Sequence, residues 1–186
     1  MNIGEKLEDF TFEYFQNNEF KKAKISDYKN KWLILFFYPA DFTFVCPTEL
    51  EDLAMHYSEF LENNCEVISF SNDTVFVHKA WHDSSSKIKQ ITFPMASDVN
   101  GYISKTLGIY IEKDGLSLRG TFIIDPEGVL KAYEVNDNSI GRNAEELLRK
   151  LQASKYVYEN KNEVCPANWK PGKQTLKPGI NLVGKI

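Results

Sequence analysis

The chain has few cysteines and no long apolar run, and both shortages narrow its possible class. Three cysteines among 186 residues are too few, and of the wrong parity, for a disulfide-stapled secreted domain. The longest apolar run, residues 32–38, is far too short to span a bilayer. The acidic N-terminus contains no apolar stretch of the kind found in secretory signal peptides. We therefore expect a cytoplasmic globular protein with no membrane association.

An excess of basic residues is absent too. Lysines and arginines number 22 against 26 acids, for a net charge of −4, so no basic surface that binds nucleic acid is predicted. The composition is 42% hydrophobic and 13% aromatic, which is typical of a folded domain with a substantial core.

The first half of the chain predicts a strand, a helix and a second strand in succession. Residues 32–38 form the continuous apolar run of a buried strand. Apolar side chains then recur at helical spacing over residues 50–61, and residues 66–70 give the next strand. Two strands joined through a helix should be parallel, with a right-handed crossover.

The second half predicts a hairpin and a closing helix. Residues 120–124 and 129–135 flank an Asp-Pro-Glu-Gly turn, so these strands should be antiparallel. Other short elements are expected: a helix near residues 74–87, an extended segment at 91–95 and a helix at 104–107. The closing helix would place five apolar side chains on one face: Ile140, Ala144, Leu147, Leu148 and Leu151. This order favours an α/β fold, a thioredoxin-like mixed central sheet flanked by helices.

Beyond residue 159 the character of the sequence changes. Prolines and glycines break every period from there on, which predicts an extended arm. The expected organisation is a domain over residues 1–159 and a C-terminal arm over residues 160–186 that carries Cys165.

Cys46 is the residue that carries the most chemical information. It lies between the buried strand and the helix, where unpaired backbone N–H groups and the helix dipole stabilise a thiolate. Pro47 suits the first helical position, and Glu49 stands where a capping-box acid would. Glu49 in place of a second cysteine excludes a C-x-x-C dithiol site. A single fixed thiol suits oxidation to a sulfenic acid, which Cys165 on the arm could then condense with. Cys65 is interpreted as a small buried hydrophobe.

The histidines offer a weaker alternative. His78 and His82 have the i, i+4 spacing of a two-histidine metal face. No third ligand is evident, so we expect no metal and interpret both as surface or interface residues packed around Trp81. None of the histidines has the context of a cysteine-protease base, and no cofactor is predicted.

The motif Pro39-x-x-x-Thr43-x-x-Cys46, within the wider sequence Phe-Tyr-Pro-Ala-Asp-Phe-Thr-Phe-Val-Cys-Pro-Thr-Glu, resembles the active-site motif of the peroxiredoxins. Further matches are spread over the chain: His78-Lys79-Ala80-Trp81-His82, Arg119 before a strand, Gly141-Arg142, Glu163-Val164-Cys165-Pro166 and the closing residues 182–186. The sequence is similar to the typical two-cysteine peroxiredoxins over essentially its whole length.

The resemblance implies specific roles for the matching residues. Cys46 would be the peroxidatic thiolate, with Thr43 hydrogen-bonding peroxide and thiolate and Pro39 shielding the site from water. Arg119 would stabilise the thiolate and the charge that develops on the leaving oxygen, the place where fixed donors are most effective. Two supporting residues, Glu49 and Arg142, would orient Arg119.

The resemblance also implies partners. Cys165 would resolve the sulfenic acid from the partner subunit, although the sequence leaves an intrasubunit Cys46–Cys165 disulfide open. Expected substrates are hydrogen peroxide, organic hydroperoxides and peroxynitrite, in antioxidant defence and redox homeostasis. A flavoprotein disulfide reductase drawing on NADH, or thioredoxin, would be the electron donor. Homodimers formed through the strand at 129–135 would assemble into a decamer, with Phe42, Phe44 and residues 75–81 near the ring contact.

Two other classes of function stay open. One is a ring-forming holdase chaperone in which peroxidase activity is secondary. The other is a thioredoxin-like binding module with a dead site, which conflicts with the intact set of Pro39, Thr43, Cys46 and Arg119.

Overall fold

The computed structural model describes residues 1–186 and divides them into two compact units, Met1–Ala144 and Glu145–Ile186. The strands of the first unit are β1 (Thr11–Gln16), β2 (Glu19–Lys24), β3 (Trp32–Phe37), β4 (Cys65–Ser71), β5 (Met95–Ser97), β6 (Tyr110–Ile111), β7 (Leu116–Ser117), β8 (Arg119–Ile124) and β9 (Leu130–Asn136). Its α-helices are α1 (Cys46–Met55), α2 (Tyr57–Glu62), α3 (Val75–Ser84) and α4 (Tyr102–Thr106), and α5 (Ala144–Glu159) begins at the boundary. Short 3₁₀ turns cover Ile25–Tyr28, Ile88–Gln90 and Ile180–Leu182. The predicted division after residue 159 stays a prediction.

Seven strands form one mixed sheet in the order β2-β1-β5-β4-β3-β8-β9. β3 and β4 are parallel, with Trp32 opposite Cys65 and Phe37 opposite Phe70. β8 runs antiparallel to both β3 and β9. The predicted parallel strand–helix–strand unit and the hairpin are confirmed. All six residues of β3 are buried, as expected for a strand covered on both faces, and the loop after it leads directly to Cys46.

The N-terminal hairpin was not predicted from the pattern of hydrophobic residues. β1 and β2 pair antiparallel, with Gln16 opposite Glu19 across the two-residue turn of Asn17 and Asn18. Both asparagines have positive φ, 51° and 61°, which is the conformation of a type I′ turn. β2 is mostly exposed, so its sequence carries little apolar alternation.

Two helices differ from their predicted bounds. The helix expected over residues 50–61 breaks at His56, whose ring Nδ1 lies 2.9 Å from the Asp52 carbonyl oxygen. That oxygen is the acceptor a continuing helix would offer to the His56 N–H. The helix predicted near residues 74–87 is α3, which ends at Ser84. The prediction for Ile140 was also wrong: it precedes α5 and is exposed.

The second unit combines α5 with a segment that has little regular structure. Val164 pairs with Leu176 in an isolated antiparallel bridge. Trp169 is buried, with its ring centroid 4.9 Å from that of Tyr156 on α5. The Arg149 Nη1 donates to the Trp169 carbonyl at 3.1 Å, so part of the predicted arm is packed within this unit. None of the helices combines the length and apolar character needed to cross a membrane.

Candidate active site

Cys46 lies at the start of α1, as the sequence predicted, although the helix begins at Cys46 itself and not at Pro47. Its side chain is fully buried. Pro47 follows in the first helical turn, where a missing N–H costs no helical hydrogen bond. The residue before the helix, Val45, provides no side-chain cap. The capping-box prediction for Glu49 was wrong, because its carboxylate bonds to two arginines instead. The helix start is therefore held by side chains from distant parts of the chain.

Arg119, at the start of β8, connects the thiol to that carboxylate. Its Nη1 lies 3.3 Å from the Cys46 sulfur and 2.7 Å from Glu49 Oε2. Its Nε and Nη2 both donate to the Asn138 carbonyl oxygen, at 3.0 and 2.7 Å. Arg119 is 3% exposed. The Asn138 carbonyl and the Glu49 carboxylate thus fix the guanidinium on two sides, and its Nη1 is directed at the Cys46 sulfur.

Arg142 closes the other side of Glu49. Its Nε and its backbone N each donate to Glu49 Oε1 at 2.8 Å, and its Nη2 donates to Oε2 at 3.0 Å. Its Nη1 donates to the Gly120 carbonyl and the Thr121 hydroxyl, and the guanidinium carbon lies 3.4 Å from the centroid of the Phe36 ring. Burial lowers the pKa of Arg142, and the bonds to Glu49 oppose that shift. Of the predicted supporting residues, Glu49 bonds directly to Arg119, and Arg142 bonds to Glu49.

The buried side chains of this cluster are two arginines and one carboxylate. Arg119 and Arg142 carry two positive charges, and Glu49, whose side chain is 1% exposed, carries one negative charge. The Cys46 sulfur lies within hydrogen-bonding distance of Arg119. Negative charge that develops beside this sulfur would therefore meet a fixed cationic donor.

The predicted loop residues lie between β3 and α1. Pro39 is buried and supplies no N–H. The Thr43 hydroxyl donates to the Ala40 carbonyl at 2.8 Å, and no hydrogen bond joins it to Cys46. Since the hydroxyl proton is already used, the oxygen of Thr43 is left to accept a hydrogen bond from a peroxide O–H.

The other two cysteines differ in their surroundings. All three are free thiols. Cys65, at the start of β4, is buried among apolar residues, as predicted. Cys165 lies in the second unit, half-buried, with its sulfur 3.9 Å from the Ala153 carbonyl oxygen. Burial raises the pKa of the Cys165 thiol, nearby Arg149 lowers it and Glu163 adds to the rise.

Sequence reasoning missed or misplaced several residues around the site. The Asn138 backbone carbonyl that holds Arg119 gives no signal in a side-chain pattern. His78, interpreted as a surface or interface residue, is completely buried, and both of its ring nitrogens have partners, Asp41 and Ala96. Its i, i+4 spacing with His82 therefore does not form a metal face.

Fold and site together define the class, a thiol-dependent peroxidase of the peroxiredoxin type. More particularly, the chain belongs to the AhpC/TSA family, whose model matches residues 3–133. A second model, the C-terminal domain of 1-Cys peroxiredoxin, matches residues 153–180, the segment that holds Cys165.

Relatives match the chain from end to end. Alkyl hydroperoxide reductase C of Bacillus subtilis (strain 168) is 50% identical over 184 residues, covering 99% of this chain and 98% of that protein. The protein of the same name from Salmonella typhimurium is 47% identical with the same coverage.

Solved structures agree with the fold. The crystal structure of Enterococcus faecalis AhpC has a TM-score of 0.86 at 50% identity, covering 89% of this chain and 100% of that chain. The reduced 2-Cys peroxiredoxin of Plasmodium vivax has a TM-score of 0.91 at 34% identity, covering 96% of this chain and 94% of that chain.

Proposed function

We propose that this protein reduces hydrogen peroxide and organic hydroperoxides through Cys46, with Cys165 as the resolving thiol. The observation that carries the proposal is the Arg119 guanidinium, which lies 3.3 Å from a buried sulfur in a cluster of two buried arginines and one buried carboxylate. Peroxynitrite, which has the same O–O bond, is included in the proposed substrates.

The reaction follows from the positions of these groups. The Cys46 thiolate attacks one peroxide oxygen, the O–O bond breaks, and the leaving oxygen departs as an alkoxide or hydroxide that takes up a proton. Arg119, beside the sulfur, stabilises the charge on that oxygen. Thr43 orients the peroxide by accepting its O–H, and Pro39 limits access of water. Cys46 is left as a sulfenic acid.

The second half of the cycle uses Cys165. Its thiolate attacks the sulfenic sulfur, hydroxide leaves and is protonated to water, and a Cys46–Cys165 disulfide forms. We infer that this disulfide joins two subunits of a homodimer. A flavoprotein disulfide reductase that resembles AhpF, or thioredoxin, would return two electrons and two protons to restore both thiols. Neither half-reaction needs a cofactor on this chain.

We also propose a cytoplasmic homodecamer built from five dimers, with antioxidant defence as its role. Two observations support further association. β9 is an edge strand of the large sheet, and an exposed edge can pair with a second copy. Phe42 and Phe44, two residues apart beside the active site, expose 57% and 92% of their surface, and neighbouring exposed aromatic side chains favour contact with another protein surface.

The proposed function is tested by mixing the reduced protein with hydrogen peroxide in a stopped-flow fluorimeter and following tryptophan fluorescence. We expect a fast phase proportional to peroxide concentration, followed by a slower phase due to disulfide formation. Cys165→Ser should keep the first phase and lose the second. Cys46→Ser should lose both. Non-reducing electrophoresis of peroxide-treated protein should show a dimer that needs both cysteines.

Failure of reduced wild-type protein to react would contradict the peroxidase proposal. Protection of a heat-denatured client by Cys46→Ser, combined with such failure, would favour the holdase. A Cys165-dependent disulfide that forms only within a monomer would contradict the intersubunit assignment while leaving the peroxidase intact.

The environment of Cys165 predicts the pH dependence of its reactivity. Because burial raises the pKa of this thiol, the nucleophilic thiolate is a minor form at neutral pH and increases as pH rises. In Cys46→Ser, we expect alkylation of Cys165 by iodoacetamide to rise about tenfold per pH unit from pH 7 to 9. Peptide mass spectrometry distinguishes Cys165 from buried Cys65.

Arg149→Ala provides the control for this measurement. Arg149 lowers the pKa of Cys165, so its removal should slow alkylation at any pH in this range. A rate for the Cys46→Ser protein that levels off below pH 8 would contradict the expected shift.

A further inference from the structure

A buried acid–base pair stands behind the active-site loop and takes no part in the chemistry described above. His78, on α3, is 0% exposed, and its Nδ1 lies 2.7 Å from Asp41 Oδ2. Its Nε2 lies 3.1 Å from the carbonyl oxygen of Ala96 on β5. The other oxygen of Asp41, Oδ1, accepts a hydrogen bond from the Tyr38 hydroxyl at 2.7 Å. The pair therefore connects the loop after β3 to α3 and to β5.

The hydrogen-bond partners of His78 define where its protons lie. The Ala96 carbonyl can only accept, so Nε2 carries a proton. A second proton must lie between Nδ1 and Asp41 Oδ2, because neither a carboxylate nor a bare ring nitrogen can donate to the other. Wherever that second proton sits, the pair as a whole is neutral. Each member satisfies a partner that would otherwise be a buried polar atom without a hydrogen bond.

Asp41 is also fixed through its backbone, next to a strained residue. Its N–H donates to Asp73 Oδ2 at 2.8 Å. The following residue, Phe42, has φ of 56°, a region that bulky side chains seldom adopt and that the surroundings must impose. Directly after it, Thr43 bonds back to the Ala40 carbonyl. Asp41 is thus the anchored point of the short stretch between Pro39 and Thr43.

We propose that Asp41 and His78 are positioning residues for peroxide reduction at Cys46. They act through the backbone of residues 40–43, holding the Thr43 hydroxyl and the Pro39 ring in the places that peroxide requires. This inference rests on the proposed peroxidase function and extends it to a layer of residues that never touches the substrate. What matters is the hydrogen-bonded geometry of the pair, since the pair bears no net charge.

The test compares two reactions of the same thiol. Peroxide reduction needs Thr43, Pro39 and Arg119 in place, whereas alkylation by iodoacetamide needs the buried Cys46 sulfur to become exposed. Both rate constants are measured on reduced variants that carry Cys165→Ser. The result is expressed as the ratio of each variant's peroxide rate constant to that of the parent, and the alkylation rate constant reports how often Cys46 becomes exposed. A purely structural role would lower the melting temperature and raise the alkylation rate constant but leave this ratio unchanged in folded protein.

Asp41→Ala should lower this ratio of peroxide rate constants by about 10- to 100-fold, because small displacements of positioning groups have effects of that order. Asp41→Asn should recover most of the ratio. Its amide can accept from Tyr38 and donate to the Nδ1 of a neutral His78, so the network stays complete. Asp83→Ala, which removes an exposed carboxylate from the same helix as His78, is the matched control and should leave the ratio unchanged.

Tyr38→Phe is the fallback if Asp41→Ala does not fold. It deletes one donor to Asp41 and keeps the packing volume, so the ratio should fall by about 3- to 10-fold. A folded Asp41→Ala or Tyr38→Phe protein with an unchanged ratio would overturn the inference, as would an Asp41→Asn protein as impaired as Asp41→Ala. Absence of peroxide reactivity in the Cys165→Ser parent would instead count against the proposed function itself.

Discussion

Replacing Arg119 with leucine should lower the rate constant for the reaction of Cys46 with hydrogen peroxide by about 10²- to 10³-fold. That is the effect of removing one charged donor aimed at developing charge. The guanidinium donates to the sulfur at 3.3 Å. Because Arg119 is buried, water cannot readily take over this hydrogen bond when the side chain is removed. The loss should appear in the fast phase of tryptophan fluorescence, measured as a function of peroxide concentration.

The Arg119→Leu protein should still fold. Without this side chain, Glu49 keeps its bidentate pair with Arg142, so the buried carboxylate remains compensated. The Cys46 sulfur then loses its guanidinium donor, and the leaving oxygen loses the group that would stabilise its charge.

Arg119→Lys separates charge from geometry. An ammonium at this position keeps the positive charge but cannot donate simultaneously to Asn138 and to Glu49 in the planar arrangement of Arg119. Its rate constant should fall between those of wild type and Arg119→Leu. A folded leucine variant that reacts within about threefold of wild type would show that this arginine is structural and not part of the chemistry.

The central part of the fold could be predicted because its signals are local. The apolar run of β3, the helix that starts at Cys46 and the Pro-Gly turn between β8 and β9 each carry their own pattern, and all three were found in the structure. The prediction failed where a side chain overrides that pattern. The His56 ring lies against the Asp52 carbonyl that its helix would otherwise use. The β1–β2 hairpin depended on two asparagines with positive φ and not on apolar alternation.

The site was predictable only in part. The reactivity of Cys46 could be argued from its place at a helix start, but Glu49, Arg119 and Arg142 entered through family resemblance, since nothing local joins residues so far apart in sequence. Their contacts with one another appear only in the fold. The burial of His78 was not predicted. Its neighbour in sequence Phe76 is exposed, and its buried partner Asp41 comes from a distant loop, so the local sequence does not indicate their contact.

Replacing Glu49 with glutamine should destabilise the protein by about 3–5 kcal/mol, the cost of breaking a buried ion pair from one side. Its carboxylate accepts four hydrogen bonds from Arg119 and from Arg142. Without that charge, two buried guanidinium groups face each other. The melting temperature should drop by roughly 6–20 °C for a chain of this size. Urea denaturation of the reduced protein, followed by circular dichroism, measures the free energy of unfolding directly.

Glu51→Gln is the matched control, because it makes the same change on the same helix. Its partner Lys87 is half-exposed, so the loss of stability should stay within about 1 kcal/mol.

The double variant Glu49→Gln/Arg142→Met adds a second test. Removing one of the two uncompensated cations should relieve part of the repulsion. The double variant should therefore lose less stability than the sum of the losses of the two single variants. Strict additivity, or a loss for Glu49→Gln no larger than for Glu51→Gln, would mean that the cluster does not depend on this charge.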